Sequence, residues 1–170
     1  MSTMENKAIV ERYVKEAWGN GDWKIAEEIV DENVIFHDQV REGDLPAGRE
    51  GLRVAMERIN TGMPDFVMDI HEIVAEDDIV VIRWSAVGTH AGDFNGFPAT
   101  GRVATLYAIS MVRMKDGRII EGWQETDRLG MAQQLGMMPT GGMPRPMAKA
   151  IVSGIRLRDR WSRRRSAKAS

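Results

Sequence analysis

The stretch EGWQETD, Glu121 to Asp127, places a carboxylate or a tryptophan at every second position: Glu121, Trp123, Glu125 and Asp127. On a strand, residues two apart share a face, so these four point together and Gly122, Gln124 and Thr126 point away. Such a set does acid/base chemistry if it looks into a cavity. Apolar neighbours raise a carboxyl pKa and a nearby Arg or His lowers it, and both effects tune a general base or acid. A tryptophan in mid-strand seeks burial, so the face of Trp123 and Asp127 is expected to point inward. Glu125 adds a second carboxylate that either raises the Asp127 pKa by repulsion or stands at the rim. The competing reading is that Asp127 caps the short helix RLGMAQQLG, since Asp is a favoured N-cap.

Other side chains could complete a site. His37 ends the short run VIF and feeds a loop, a common place for function, although a lone His is often structural. His90, in GTHAGDFNGF, either lines a pocket mouth or satisfies backbone groups; His71, alternating between Ile70 and Glu72, is expected in solvent. Thr105, Tyr107, Ile109, Met111 and Arg113 share one face of their strand. Arg83 shares a face with Ser85 and Thr89, opposite Trp84 and His90. Arg83 and Arg113 sit in otherwise apolar strands and are expected to pair with carboxylates, as scaffold or as substrate contacts. Met56, Met63, Met68 and Met111 read as core or pocket wall.

Several chemistries lack their motifs. There is no cysteine, hence no disulfide, thiolate nucleophile or thiolate metal site. The sequence holds no phosphate-binding glycine loop, dinucleotide fingerprint, GxSxG elbow or HExxH pair. Its three histidines are dispersed, and no metal site is expected.

The elements that must position these residues follow from periodicity. Ile9, Val10, Tyr13, Val14 and Trp18 predict a helix over 5–19, and Asp22 caps a second from Trp23 to about Val30. VIFHD, Val34 to Asp38, reads as a strand and the following QVREGDLPAGRE as a loop. Leu52, Ala55, Met56 and Ile59 predict a third helix from Arg49 to Thr61. The period then changes: two strands meet around Ala75–Asp78, a third runs from Arg102 to Met114, and Asp116-Gly117 is a hairpin signal before a last strand, Ile119 to Asp127. Helices first and hairpins later give an α+β class with an antiparallel or mixed sheet. A curved sheet wrapped around about three N-terminal helices makes a single cone-shaped domain whose mouth admits a small ligand.

With 170 residues and 43% apolar composition the chain suits one domain. We place it at 1–138, followed by a Gly/Pro linker and a basic tail over 139–170. The net charge of −2 hides nine Lys or Arg and one Asp from Gly141 to Ser170, leaving −10 for residues 1–140. Ala148 to Trp161 reads as an amphipathic helix. The tail could meet an acidic membrane surface, nucleic acid or an acidic neighbour, although the plainer reading is a solvated extension. It lacks the interleaved aromatics of a specific nucleic-acid groove. No membrane span or signal-peptide layout is present, so a cytoplasmic location is expected.

The order PAGREGLRVAMERI, then MPDFVMDIHEIVAEDDIVVIRWSAVGTHAGDFNGFPATGR, then MVRMKDGRIIEGWQETDRLGMAQQLG resembles the SnoaL-like polyketide (ester) cyclases, within the nuclear-transport-factor-2-like fold. The resemblance spans about residues 5–138, and its segments PD, RW, GTH, ATGR, DGRI and ExWxxxD occur in order. It implies a lyase or isomerase that works without metal or organic cofactor on a small hydrophobic keto ester or aromatic ketone. The position matching Asp127 would act as acid/base in an intramolecular aldol ring closure. The resemblance further implies that His37 is a polar pocket residue, Trp123 a wall residue and the protein a homodimer. No histidine neighbours Asp127 on the preceding strand, where Met111 and Arg113 stand; a related isomerase or hydratase, or a noncatalytic binder of a hydrophobic ligand, therefore stays open.

Overall fold

A computed structural model describes residues 1–37, 45–94, 96–141 and 144–166, with the stretch from 156 onward as backbone alone. The chain forms two units, Met1–Met138 and Pro139–Ser170. In the first, α1 (Thr3–Arg12) runs into a π-helical turn (Tyr13–Trp18), and α2 (Trp23–Ile29), β1 (Val30–His37) and α3 (Gly48–Gly62) follow. Four strands, β2 (Val67–Glu76), β3 (Ile79–Thr89), β4 (Val103–Lys115) and β5 (Arg118–Thr126), precede α4 (Arg128–Gln134). The second unit contains α5 (Arg145–Ser166), longer than the expected helix. Asp38 and the first half of the expected loop after it lie outside the described residues.

Local chemistry explains the element boundaries. Ser2 and Glu5 form a reciprocal capping box at α1, and Asp22 accepts the Lys24 N–H at 3.0 Å to start α2. The expected helix over 5–19 forms, but its second half is π-helical and turns Tyr13, Val14 and Ala17 into the core. Asp116 (φ 49) and Gly117 (φ 79) both adopt the left-handed conformation that a two-residue type I′ hairpin requires.

The sheet has the order β1-β5-β4-β3-β2. It is mixed, because β1 pairs parallel to β5 while every other pairing is antiparallel. Its inner face buries Val80, Ile82, Trp84 and Ala86 of β3, Ala108, Val112 and Met114 of β4, and Ile119 of β5. These pack against Val10, Tyr13, Val14, Leu52 and Met56 of the helices. The result is the α+β architecture expected from the order of the elements.

Face assignment on β5 turns on one irregularity. Arg113 pairs with Glu121 and Met114 with Ile119, so one step on β4 spans two on β5. This bulge reverses alternation: Ile119 points inward, whereas Glu121, Trp123 and Glu125 point outward. A second irregularity between Ile70 and Glu72 leaves His71 as the extra residue. His71 is exposed, as expected, 2.8 Å from the Ser85 hydroxyl.

Beyond Ala108, β4 loses β5 as its neighbour, and α4 takes over that edge. The Asp127 N–H donates to Tyr107 O at 2.9 Å. The Gln134 amide then imitates a strand: Thr105 N–H donates to its Oε1, and its Nε2 donates to Thr105 O, both at 2.8 Å. Leu135 secures the helix against Met63 and Ala104.

Candidate active site

Asp127 stands where β5 ends. Its backbone (φ −75, ψ 71) has left the strand conformation, so its direction is set by α4 rather than by alternation. Oδ1 accepts the Gly130 N–H at 2.8 Å, the cap foreseen as the alternative to a buried carboxylate. The side chain folds tightly over residue 130: a Cβ there would overlap Oδ2 and stand 2.8 Å from Cγ. Glycine is therefore what lets the carboxylate sit on the helix end. Asp127 is exposed, and Oδ2 has no hydrogen-bond partner among the described residues.

The face expected inside lies outside. Paired residues across the sheet form rows on its outer surface, such as Asp69–Ser85–Tyr107 and Glu72–Arg83–Ile109–Glu125. Trp123 occupies another row with Val81, Met111 and His37. Two tryptophans on opposite faces compete for the core, and Trp84 wins, at 5% exposure, because its companions Val80, Ile82 and Ala86 are all apolar. The companions of Trp123 are carboxylates.

On this outer face His37 stacks on Trp123 at 5.1 Å, and its Nε2 lies 2.9 Å from Glu121 Oε1. Arg113 reaches Asp78 at 3.0 Å and Glu121 at 3.3 Å, with its guanidinium 5.9 Å from the Trp123 ring centre. The hydrogen bond from His37, reinforced by Arg113, holds the Glu121 carboxyl below the usual carboxylate range. Arg83 pairs with Glu72 at 2.7 Å. The carboxylate partners expected for both arginines are present. His37 is in register with Trp123, four residues before Asp127, which is roughly 13 Å along an extended strand. The fold thus does not bring His37 and Asp127 together.

The inner face carries polar groups that alternation had directed away from the site. Trp84 Nε1–H donates to Ser110 Oγ at 2.9 Å, and Ser110 donates to Gln124 Oε1 at 3.2 Å. With Oε1 engaged as acceptor, the Gln124 NH2 is a donor without a hydrogen-bond partner among the described residues. Thr126 follows on the same face, where it pairs with Ala108. His90 also lies inside, fully buried. Its Nδ1 lies 3.1 Å from the Thr100 hydroxyl and 3.3 Å from the Thr100 backbone nitrogen, while Nε2 is a buried atom with no partner among the described residues. The readable signal for this inner set was the uniformly apolar companionship of Trp84.

Motif residues join at the end of the sheet near His90. Asp65 accepts the Thr89 N–H and hydroxyl, both at 2.6 Å. Those bonds, the hydroxyl one first, hold its carboxyl below the usual range. PD and GTH are thereby one structural unit. Among the described residues no group of three or more His, Asp or Glu is placed to hold a metal ion.

The family model of the SnoaL-like polyketide cyclases matches residues 8–135. IdmH, a proposed polyketide cyclase from Streptomyces antibioticus, is 31% identical with a TM-score of 0.68, over 77% of this chain and 98% of that one. TsrD from Streptomyces laurentii is 25% identical with a TM-score of 0.73, over 81% and 99%. A SnoaL-like polyketide cyclase from Agrobacterium tumefaciens shares the fold at 20% identity and a TM-score of 0.66, over 80% and 100%. No curated protein matches. A family model that covers most of the chain, together with structural relatives that it spans almost end to end, shows that the chain belongs to the SnoaL-like polyketide cyclase family.

Proposed function

We propose that this protein closes a ring in a polyketide-like keto ester by carboxylate acid/base chemistry, with Asp127 moving the proton. The observation that carries this reading is the state of the Asp127 carboxylate: one oxygen is fixed by the Gly130 N–H at 2.8 Å, and the other has no partner among the described residues.

Ionised Asp127 takes a proton from the carbon between the ester and ketone groups. The enolate carbon attacks a second ketone of the same molecule, forming one C–C bond, and the carbonyl π pair becomes an alkoxide. Protonated Asp127 returns its proton to that alkoxide. The product has the composition of the substrate, so the balance requires no oxidant or co-reactant. The Gln124 amide supplies an uncommitted donor on the inner face for carbonyl or enolate oxygens, the groups where negative charge develops. His37, Trp123, Tyr107, Arg113, Arg83 and Glu125 then serve a second copy rather than the substrate. Their outer face exposes Tyr107 and Ile109 by just over half, which favours a sheet-to-sheet homodimer.

The test is turnover of a panel of keto esters and ketones by wild type and Asp127→Asn, with product followed by mass and binding by thermal shift. Asparagine retains the cap acceptor but cannot take the proton. The reading expects turnover to fall by about 10²–10⁴-fold with binding intact. Equal turnover would overturn it. A ligand that binds and is turned over by neither protein would favour a noncatalytic pocket, a reading the capping role of Asp127 already supports.

A further inference from the structure

We propose that α5 is a surface-binding helix that lies on an anionic lipid bilayer. The helix spans Arg145–Ser166, about 33 Å at 1.5 Å per residue. This is outside the stretch matched to the family. Met147, Ile151 and Ile155 recur at every fourth position, and Ala148 and Val152 lie beside them; at 100° per residue these five fall within an arc of about 140°. Arg145 and Lys149 fall together on an adjacent arc. The four large apolar side chains are exposed by 43–46% each, a continuous aliphatic stripe facing water. The sequence of the helix holds eight Lys or Arg and a single Asp.

These two features specify the partner together. A polybasic segment alone suits any polyanion, and an aliphatic stripe alone suits any apolar groove. An amphipathic helix with both lies in the headgroup boundary, its apolar arc among acyl chains and its cations on anionic lipid. Nucleic acid would leave the Met/Ile/Val stripe in water, since bases are bound by stacking on aromatic or guanidinium planes. No described helix is long and apolar enough to cross a membrane, so the mode is surface attachment. The whole chain carries only −2; attraction of the protein as a whole to an anionic surface is not expected, and binding isolates the helix.

The experiment is flotation of the full chain with vesicles of phosphatidylcholine alone or mixed with phosphatidylglycerol, at low and high salt. The proposal expects binding to the anionic vesicles at least about tenfold tighter than to the neutral ones, weakened by salt. Ile151→Asp/Ile155→Asp should lose it by at least about tenfold, Arg145→Gln/Lys149→Gln by several-fold, while Ile151→Leu/Ile155→Leu should retain it. Turnover and the melting transition of the protein report that each variant is folded. Absence of wild-type binding at low salt would overturn the proposal, as would equal binding by the Asp variant. Salt-sensitive binding to an oligonucleotide that the Asp substitutions leave unchanged, without vesicle binding, would assign the helix to nucleic acid instead.

Discussion

Gly130→Ala separates the two tasks assigned to Asp127 without touching the carboxylate itself. The new Cβ would overlap Oδ2 and stand 2.8 Å from Cγ and 3.0 Å from Oδ1. Rotation of the short Asp127 side chain is the cheapest relief, and it breaks the 2.8 Å bond from the Gly130 N–H. Losing an N-cap costs about 1 kcal/mol, and replacing Gly by Ala within a helix returns up to about 1 kcal/mol. The two nearly cancel, so the melting temperature should move by less than about 4 °C. Asp127→Ala has no such compensation and should melt about 3 °C lower. Activity should behave differently: displacing a positioned group by about 1 Å can cost about 10²-fold. The assay is thermal melting beside turnover of whichever keto ester the Asp127→Asn panel identifies. A Gly130→Ala protein that turns over at the wild-type rate would refute the link between the helix end and the base. A loss of several kcal/mol would refute the geometry of the cap.

Three further outcomes test the surrounding structure. Ser110→Ala leaves the buried Trp84 Nε1–H, now 2.9 Å from Ser110 Oγ, without its acceptor; chemical denaturation should show a loss of about 1–3 kcal/mol, and a loss near zero would contradict the inner polar chain. Asp65 has a folded pKa lowered from the ordinary 3.8 by its bonds to Thr89, so its contribution is present above 3.8 and is lost as pH falls through the lower folded value. The melting-temperature gap between wild type and Asp65→Ala should therefore be full at neutral pH and close below 3.8, and a pH-independent gap would count against the pairing. Ile109→Glu puts a charge amid the outer rows, where Ile109 is 52% exposed; native mass spectrometry should show wild-type dimer and variant monomer, and wild-type monomer at micromolar concentration would end the dimer proposal.

Much of the fold was legible because its signals are local. Asp22 and the Asp116-Gly117 pair act through one or two residues of backbone, and the three N-terminal helices and successive hairpins follow from them and from periodicity. The π-helical turn was not legible, since Tyr13, Val14 and Ala17 satisfy an α-helical pattern equally well. Nor were the sheet faces, which depend on a bulge near Ile120 that no turn residue announces. Trp84 and Trp123 offered the same argument for burial, and only the neighbours of each decide between them.

Asp127 shows why alternation was the wrong instrument at the place that matters most. Gln124 and Thr126 point inward because they are strand residues after the bulge, whereas at Asp127 ψ has moved to 71 and the parity rule lapses. The carboxylate's direction is then dictated by the helix that follows, through a glycine three residues on that admits it and an N–H that holds it. A cap and a base are not rivals in this arrangement. The cap fixes one oxygen, and the other has no hydrogen-bond partner among the described residues. The same local chemistry that ends β5 and begins α4 is what would ready a carboxylate to accept a proton.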